Sequence, residues 1–519
     1  MKILTAEQMR ALDKRATDQY GIPSLLLMEN AALSVFIAAE EMLGEIGGKR
    51  VVVVAGPGNN GDDGFAVARH LHNNGADVFI AYFGDRDKAK GDALINIEIT
   101  EKMGLPVETL NNAEMLQDCL VNTDLIIDAL LGTGIQGEVR PLFAEVISTI
   151  NSSGVPVLSV DIPSGVNADS GEICGTAIFA DVTVTFALPK IGLVTYLGAE
   201  RAGDLIVADI SIPAEALEDN DSQVYVLDEG IARTYLPIRR HDANKGTFGH
   251  LAIVAGSVGM TGAATLAAEG ALRIGTGLVS VAVPESLNDI LEVKLTEAMT
   301  IPVKEGKSRA FGHASLEQVF EIISKRNAVV VGPGFGRNED TITFTLELIR
   351  GLTRPAIIDA DALFAISTDI SVLKQCAAPI VITPHPGEMA NLLGMTVADV
   401  QSNRLEVARS FANEYNVIVV LKGAGTVVAS PNSDAYINTT GTPGMATGGT
   451  GDVLSGMIGG LLAQGLGPFN AAAVGVYFHG LAGEIAADKL GEAAMIASDL
   501  ADSISEAVRQ VMQEAKERV

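Results

Sequence analysis

The sequence has no tryptophan, only three cysteines and few aromatic residues (5%) among its 519 residues. Cys119, Cys174 and Cys376 stand far apart and form neither a CxxC pair nor a disulfide framework, which indicates a reducing compartment and buried, unreactive thiols. The amino-terminal residues lack the apolar core of a secretory signal, and Glu29 interrupts the apolar run that begins at Leu25. We therefore expect a soluble, cytoplasmic protein without a membrane partner.

Positive charge is also scarce. The formal net charge is −28, and no lysine- or arginine-rich run interrupts it. Such a chain repels a phosphate backbone, so nucleic acid is excluded as an expected partner, and any small anionic ligand must be held by local groups. The 55 glycines are typical of α/β folds with many tight turns between strands and helices.

Short apolar runs alternate with helical stretches in two series, which predicts two α/β domains in a chain too long for one core. The runs follow the pattern of buried parallel strands, whose carboxyl ends bind ligands. The first series comprises 51–55, 77–82, 125–129, 155–161 and 181–186, and the second comprises 251–255, 279–283, 328–331, 356–359, 380–383 and 417–422. The pattern lapses between 211 and 236, where the acidic stretch 215–223 indicates a linker. We therefore place the domains at 1–225 and 226–519.

A glycine-rich turn, Ala55-Gly-Pro-Gly-Asn-Asn-Gly-Asp-Asp-Gly-Phe65, follows the first predicted strand and opens a helix. Backbone N–H groups at a helix start favour an anionic phosphate. The spacing is not the GxGxxG of dinucleotide-binding turns, so this turn alone leaves a structural and a functional interpretation open.

Two further polar turns follow neighbouring predicted strands: Asp128-Ala-Leu-Leu-Gly-Thr-Gly-Ile-Gln-Gly-Glu138 and Asp161-Ile-Pro-Ser-Gly165. All three turns are expected at one edge of the sheet. The oxygens of Asn59, Asp128, Asp161 and Ser164 suit a cation or a hydroxylated ring better than an apolar ligand.

Four segments together resemble the NAD(P)H-hydrate epimerase family over nearly all of residues 1–215. They are Gly-Asn-Asn-Gly-Asp-Asp-Gly, Gly-Thr-Gly-Ile-Gln-Gly-Glu, Val-Asp-Ile-Pro-Ser-Gly-Val and Phe-Ala-Leu-Pro-Lys-Ile-Gly. The chain departs from the family pattern at Asp62, where a second glycine is usual, and this departure bears on the phosphate loop.

The resemblance implies a potassium ion held by Asn59, Asp128 and Ser164, and Asp161 as the catalytic residue at the reacting ring. Exchange between the two configurations of a hydrated nicotinamide needs proton movement and a stabilised cation, which a carboxylate can supply. For Lys190 a solvated or structural role is the favoured interpretation. The implied substrate contacts are Asn59, Asn60, Gly61, Asp62, Asp63, Gly132, Thr133, Gly134, Ile135, Gln136, Gly137, Glu138 and Asp161.

The second series ends in Ala446-Thr-Gly-Gly-Thr-Gly-Asp-Val-Leu-Ser-Gly-Met457, a glycine-rich turn that leads into an amphipathic helix. Its N–H groups can form an anion hole for a transferred phosphoryl group, and Asp452 is placed to accept a proton from the attacking hydroxyl. Gly-Thr-Gly-Asp in this setting resembles the ribokinase-like superfamily, in which this aspartate is the catalytic base.

Five more segments resemble the ADP-dependent NAD(P)H-hydrate dehydratase family over about residues 235–510. They are 241–249, 331–336, 359–361, Thr383-Pro-His-Pro-Gly-Glu388 and Leu421-Lys-Gly-Ala-Gly-Thr426. The resemblance implies substrate contacts from Ala263, Gly334, His385 and Asp452. It implies nucleotide contacts from Lys422, Gly423, Ala424, Gly425, Thr426 and Gly451. The implied fold is α/β throughout, with a Rossmann-like three-layer α/β/α domain followed by a ribokinase-like α/β domain.

The expected function is repair of hydrated NADH and NADPH, with these hydrates and ADP as small-molecule partners. Hydroxide is a poor leaving group, so phosphorylation of the ring hydroxyl prepares its loss as phosphate. Magnesium is expected with ADP, and no residue is assigned to it. The alternative is a vitamin-precursor kinase that uses ATP, fused to a non-catalytic nucleotide-binding module. The sequence leaves open the choice between monomer and homo-oligomer, the preference for NADH or NADPH hydrate, and the arrangement of the two sites.

Overall fold

A computed structural model gives the architecture of the protein and describes residues 1–306 and 308–517. The chain divides into two compact units, Met1–Val224 and Tyr225–Val519. Across the part of the chain with described structure, no helix is both long and apolar enough to cross a lipid bilayer.

The first unit contains seven strands: β1 (Arg50–Ala55), β2 (Asp77–Tyr82), β3 (Val107–Thr109), β4 (Leu125–Ala129), β5 (Val157–Val160), β6 (Val182–Phe186) and β7 (Asp204–Ala208). Its helices are α1 (Ala6–Tyr20), α2 (Ser24–Leu43), α3 (Asn59–Asn73), α4 (Asp92–Met103), α5 (Ala113–Cys119), α6 (Pro141–Ser152), α7 (Ile191–Val194), α8 (Gly198–Ala202) and α9 (Ala214–Glu218).

The seven strands form one parallel sheet in the order β3-β2-β1-β4-β5-β6-β7. Because side chains alternate along a strand, Val51 and Val53 of β1 join one buried core while Val52 and Val54 join a second. Two cores on opposite faces make the unit a three-layer α/β/α structure, and the predicted Rossmann-like fold is confirmed. The strand order reverses between β1 and β4, and α/β folds bind ligands at such a switch point.

The second unit is built on ten strands: β8 (Val224–Leu227), β9 (His250–Val254), β10 (Leu278–Pro284), β11 (Met299–Val303), β12 (Ala328–Val331), β13 (Ala356–Ile358), β14 (Ile380–Ile382), β15 (Ile418–Leu421), β16 (Thr426–Ala429) and β17 (Ala435–Asn438). Its helices are α10 (Glu229–Tyr235), α11 (Thr261–Arg273), α12 (Asn288–Lys294), α13 (Leu316–Ser324), α14 (Glu339–Arg350), α15 (Asp361–Thr368), α16 (Val372–Gln375), α17 (Pro386–Leu393), α18 (Val397–Ser402), α19 (Arg404–Tyr415), α20 (Thr450–Ala463), α21 (Pro468–Leu490) and α22 (Ala497–Glu517).

The second sheet has the order β11-β10-β9-β12-β13-β14-β15-β16-β17-β8. Strands β9 to β15 pair in parallel, and β16 and β17 continue the sheet antiparallel. Residues of α11, α20, α21 and α22 share one buried core with strand residues such as Val281 and Val330. The chain therefore presents the carboxyl ends of six central parallel strands, β9, β10 and β12 to β15, at one edge of this sheet.

The predicted linker at 215–223 lies directly before the division of the chain at Val224 and Tyr225, but part of it is regular structure, because α9 covers its first residues and β8 begins directly after it. Ala216 in α9 is fully buried, as is Leu227 in β8. These elements are four or five residues long, too short for a periodic apolar pattern to develop.

All three cysteines are free thiols. Cys174 is buried, but Cys119 and Cys376 are partly exposed, so the expectation of three buried thiols is wrong for these two. Partial burial still raises the pKa of each thiol, which keeps it in the unreactive protonated form.

Candidate active sites at the two sheet edges

Helix α3 begins directly after the glycine-rich turn that follows β1. Gly58 caps the helix without any side-chain hydrogen bond, which leaves backbone donors of the first turn available to an anion. A Cβ at Gly61 would lie 2.0 Å from the carbonyl oxygen of Gly56. Gly61 is therefore needed for the close approach of the helix to the turn.

A cavity of about 900 Å³ opens at this edge of the first sheet. Most of the residues predicted to bind substrate line it, whereas Gly61 and Gly137 do not. The predicted residues in its lining are Asn59, Asn60, Asp62, Asp63, Gly132, Thr133, Gly134, Ile135, Gln136, Glu138 and Asp161.

Asp161 follows β5 with a φ of +65°, a left-handed conformation that is uncommon for a residue other than glycine and that clusters at functional sites. The ammonium of Lys190 donates to Asp161 and also to the Thr185 hydroxyl at 3.0 Å. Lys190 is only 1% exposed, so the interpretation as a solvated lysine is wrong. The structure instead makes Lys190 the buried ion-pair partner of Asp161.

Helix α1 adds charged side chains that the sequence did not identify. Asp13, Arg10 and Lys14 all line the cavity. Burial raises the pKa of Asp13 to about 6, with Lys190 lowering it and Asp161 raising it. No local motif marks these residues, because α1 lies far from the polar turns in the sequence.

Asp63 also faces this carboxyl cluster. Its pKa lies well above the usual value because of burial first and the charge of Asp161 second. Burial therefore favours the protonated form of both Asp63 and Asp13.

Asp128 lies fully buried beneath the cavity. Its carboxylate accepts hydrogen bonds from the Ser164 hydroxyl at 2.6 Å, the Ser164 backbone N–H at 2.9 Å and the Ser159 hydroxyl at 2.8 Å. Burial raises its pKa against the effect of these donors. Among the residues the structure describes, no lysine or arginine forms an ion pair with Asp128.

The third predicted potassium ligand, Asn59, is exposed at the cavity. The side-chain amide of its neighbour, Asn60, is buried and donates to the backbone carbonyl of Leu131 at 3.0 Å. The Ser164 hydroxyl lies 3.2 Å from the same carbonyl. Oxygen atoms of Asp128, Ser164 and Leu131 therefore lie close together.

In the second unit, Gly451 and Asp452 occupy the first turn of α20. Gly449 caps the helix with a φ of +101°. The His479 ring nitrogen Nε2 lies 2.8 Å from the Thr450 carbonyl. Burial lowers the pKa of His479 to about 4, so the neutral ring donates this hydrogen bond and fixes the turn. His479 was not predicted, since it comes from α21 without a local motif.

A charged cluster surrounds Asp452. The Lys422 ammonium lies 3.0 Å from the Asp359 carboxylate and 4.0 Å from that of Glu388. The Ser455 hydroxyl donates to Asp359 at 2.5 Å. The pKa of Asp452 is raised to about 7, by burial first and by Asp359 second, while Lys422 opposes the shift. Such a value suits a general base at neutral pH.

The predicted nucleotide segment 422–426 comprises the loop between β15 and β16 and the first residue of β16. Arg404, only 6% exposed, donates to the backbone carbonyls of Leu421 at 3.0 Å, Lys422 at 3.2 Å and Gly425 at 3.4 Å. Burial lowers the pKa of Arg404 to about 10, and the group stays charged at neutral pH. The buried guanidinium of Arg404 therefore fixes the backbone of this loop through three hydrogen bonds.

The residues predicted on the substrate side gather at the same edge. A Cβ at Gly334 would lie 3.1 Å from that of Ala263, so these two residues are in close contact. His385 caps α17, and its Nδ1 accepts from the Gly387 N–H at 3.0 Å. Its side chain is 57% exposed, which does not fit a histidine buried for packing.

In comparisons with known proteins, a different family model matches each of the two units. A family model described as YjeF-related protein N-terminus matches residues 24–192, and one described as NAD(P)H-hydrate dehydratase matches residues 251–506. A bifunctional NAD(P)H-hydrate repair enzyme from Moorella thermoacetica is 44% identical over 520 residues, which cover 99% of this chain and 98% of that protein.

Solved structures match the second unit. An ADP/ATP-dependent NAD(P)H-hydrate dehydratase from Bacillus subtilis, co-crystallised with ATP and Mg²⁺, is 30% identical with a TM-score of 0.49, covering 55% of this chain and 98% of that chain. A ribokinase-like superfamily protein from Enterococcus faecalis is 23% identical with a TM-score of 0.50, covering 56% and 97%. The latter match confirms the predicted ribokinase-like fold.

Proposed function

Because this chain belongs to the family of bifunctional NAD(P)H-hydrate repair enzymes, we propose that residues 1–225 epimerise hydrated NADH and NADPH and that residues 226–519 dehydrate the S epimer with ADP. The products of the second step are NAD(P)H, AMP and phosphate. The observation that carries the proposal is that a carboxyl group suited to acid–base catalysis lies at the carboxyl edge of each sheet. It is Asp161 in the first unit and Asp452 in the second. The family similarity spans both units, which argues against a kinase fused to a non-catalytic module.

In the first unit, the hydrated nicotinamide ring lies against Asp161. The ion pair with Lys190 holds this carboxyl group in place, where it can pass a proton to the ring hydroxyl and stabilise the positive ring that remains when water leaves. It takes the proton back when water adds to the other face of the ring. The turns 59–63 and 132–138 hold the rest of the dinucleotide, with the start of α3 as a binding site for phosphate.

Potassium would be held by Asn59, Asp128 and Ser164. The fit rests on Asp128, a buried carboxylate that has only neutral donors around it, and on the Leu131 carbonyl beside Ser164. A bound cation would balance the charge of Asp128 and order the turns that line the cavity. The side chain of Asp128 orients the Ser164 backbone and hydroxyl through these hydrogen bonds.

In the second unit, the ring hydroxyl oxygen attacks the terminal phosphorus of ADP and passes its proton to Asp452. The bond from that phosphorus to the bridging oxygen breaks, and AMP leaves. The ring nitrogen lone pair then expels phosphate from the carbon that carried the hydroxyl, and loss of a proton from the neighbouring carbon restores the dihydronicotinamide. Backbone N–H groups at 448–451 stabilise the transferred phosphoryl group. Ala263, Gly334 and His385 position the hydrate, and the 422–426 loop with Gly451 holds the nucleotide.

Magnesium would accompany ADP and neutralise its charge. The described residues hold no group of three or more histidine, cysteine or carboxylate side chains suited to a metal. Magnesium at nucleotide sites commonly keeps several water ligands and contacts few protein groups, so this chemistry fits, and no residue is assigned to it.

Two single substitutions in the full chain test the proposal. Asp161→Asn should slow exchange between the epimers by roughly 10²- to 10⁴-fold and leave dehydration of the S epimer intact. Asp452→Asn should do the reverse, with a similar loss in single-turnover dehydration and with ADP binding retained. Epimer exchange is followed by chromatography and dehydration by recovery of dihydronicotinamide absorbance with ADP. Near-normal rates in either variant would remove that residue from the mechanism.

A further inference from the structure

Asp359 is a fully buried carboxylate that the proposed phosphoryl transfer leaves without a role. It follows β13 at the carboxyl edge of the second sheet and is 1% exposed. Its two oxygens have different partners, with Lys422 on one at 3.0 Å and the Ser455 hydroxyl on the other at 2.5 Å. It therefore joins the loop after β15 to the first turns of α20.

The partner of Asp359, the Lys422 ammonium, lies at the start of α20. Its nitrogen is 3.3 Å from the position that a Cβ of Gly451 would take. Glu388, at 4.0 Å, is beyond hydrogen-bonding distance. An ammonium has three N–H donors, so donors remain that Asp359 does not use. They lie beside the turn proposed to hold the transferred phosphoryl group.

We propose that Asp359 is a positioning residue that holds the Lys422 ammonium against the first turn of α20, where this ammonium contacts the phosphoryl group during its transfer from ADP. The inference rests on the proposed function of the second unit. It extends the role of Lys422 from nucleotide binding to the reacting centre. The long lysine side chain has many rotamers, and the buried carboxylate, itself fixed by Ser455, selects one of them.

The charge of a transferring phosphoryl group explains why such a fixed cation is useful. Negative charge is spread over the equatorial oxygens in the transition state, and a cation held in advance stabilises it without reorganisation. The first turn of α20 supplies backbone donors. Lys422 adds a full positive charge beside this turn, close to Asp452.

The same pair also acts on the base. Apart from burial, Asp359 raises the pKa of Asp452 and Lys422 lowers it, and Asp361 is the other carboxylate that raises it. Further charged or titratable groups lie around Lys422, namely Glu388 and His479, with His385 beside Glu388. Neutralising Asp359 should therefore move the acid limb of the rate profile to lower pH, and neutralising Lys422 should move it to higher pH.

The test compares Lys422→Met, Asp359→Asn and the double variant in the full chain, by single turnover of the S hydrate with ADP. Lys422→Met should lower the rate by roughly 10²- to 10³-fold, as loss of one transition-state donor does, with a smaller change in the dissociation constant of ADP. Asp359→Asn should lower the single-turnover rate by a smaller factor than Lys422→Met. At a pH above the acid limb, the double variant should be no slower than Lys422→Met alone, because Asp452 is then deprotonated in both variants and Asp359 acts only through the ammonium.

Lys374→Met is the matched control, since it breaks the Lys374–Glu414 pair of 3.2 Å near the start of β14, at the opposite edge of the sheet. Its rate should equal that of the wild type. Lys422→Met leaves a buried unpaired carboxylate and is expected to lose stability. The double variant removes both charges. If Lys422→Met does not fold, the double variant is compared with Asp359→Asn instead.

Additive losses in the double variant, or shifts of both acid limbs in the same direction, would overturn the inference while wild-type turnover continued to support the proposed function. A wild type that does not dehydrate the hydrate with ADP would overturn the proposed function and this inference with it.

Discussion

At the scale of single residues, each proposed catalytic aspartate is held by a different physical device. Asp161 sits in a left-handed backbone conformation and is paired with a buried lysine. Asp452 sits in the first helical turn of α20, where burial and Asp359 raise its pKa to about 7. An ion-paired carboxylate suits the stabilisation of a positive ring, whereas a carboxylate with a raised pKa suits proton abstraction from a hydroxyl.

Asp62 is the residue at which this chain departs from the glycine of the family pattern. It lies in the first turn of α3, is 8% exposed and lines the cavity. Burial and the charge of Asp92 raise its pKa to about 7. The side chain is neutral below this value and negative above it, and a negative group at the helix start opposes a substrate phosphate.

We therefore predict that the KM for epimer exchange rises between pH 6 and pH 8, within about a unit of this pKa on either side. Asp62→Gly should lower KM at the higher pH and flatten this dependence, and Asp62→Asn should do the same while keeping the side-chain volume. The measurement is KM for the hydrate at the two pH values in the full chain. A wild-type KM that does not change with pH, together with no gain in either variant, would contradict the prediction.

At the scale of elements, the first site depends on where two strands end and one helix begins. Strands β4 and β5 are neighbours in parallel register, with Asp128 opposite Ser159, which brings the oxygens of Asp128 and Ser164 together. Helix α3 brings Asn59 and Asn60 to the same edge. The proposed potassium ion would thus order three elements that meet only in the fold.

Replacement of potassium by a large organic cation should lower the melting temperature of the wild type, because an ion that binds only the folded state stabilises it by mass action. Asp128→Asn keeps the side-chain shape but removes the charge, so its melting temperature should no longer depend on potassium. Asp77→Asn, at the amino end of β2, serves as the control and should retain the dependence. An equal potassium response in Asp128→Asn would exclude this carboxylate as a ligand.

The elements that the sequence predicted are those that repeat one strong pattern. Strand β4 has five buried residues in a row, and its bounds were predicted at 125–129. Strand β3 has no buried residue and β7 has only one, so neither carries a continuous apolar signal. These edge strands were not predicted, and neither were β16 and β17, whose antiparallel pairing departs from the alternating series.

Site residues could be proposed from the sequence where a turn directly follows a buried strand, as for Asp161 and Lys422. Asp359 follows β13 in the same way but was not among them. Site residues could not be proposed where a helix from elsewhere supplies the group. Asp13 from α1 and His479 from α21 have no local motif, and their roles arise from packing. Lys190 was within a recognised segment, but only the fold reveals its burial beside Asp161.

At the scale of the whole molecule, two separate sheets each carry one site at the carboxyl edge. The net charge of −28 disfavours the approach of anionic substrates at long range. Each site therefore relies on local cations and backbone donors. Lys422 and Arg404 supply the cations in the second unit, and Arg10 and Lys14 line the cavity of the first.

The division of labour between the two units leads to a last prediction, tested with a mixture of both hydrate epimers and ADP. Asp161→Asn alone should consume only the S epimer and then stop, because the remaining epimer is exchanged only slowly. Asp452→Asn alone should form dihydronicotinamide roughly 10²- to 10⁴-fold more slowly than the wild type. Mixing the two variants should restore complete conversion, since each chain keeps the site that the other has lost and the epimers are free to diffuse between chains.

The control is the double variant Asp161→Asn/Asp452→Asn mixed with Asp161→Asn, which supplies no intact epimerase site and should again stop at the S epimer. Conversion in the complementing mixture is followed by dihydronicotinamide absorbance until it is constant. An end point no higher than that of Asp161→Asn alone would mean that the epimer formed in one chain does not reach the dehydratase of another. The two sites would then have to work within a single chain, and the proposal of two independent catalytic units would fail.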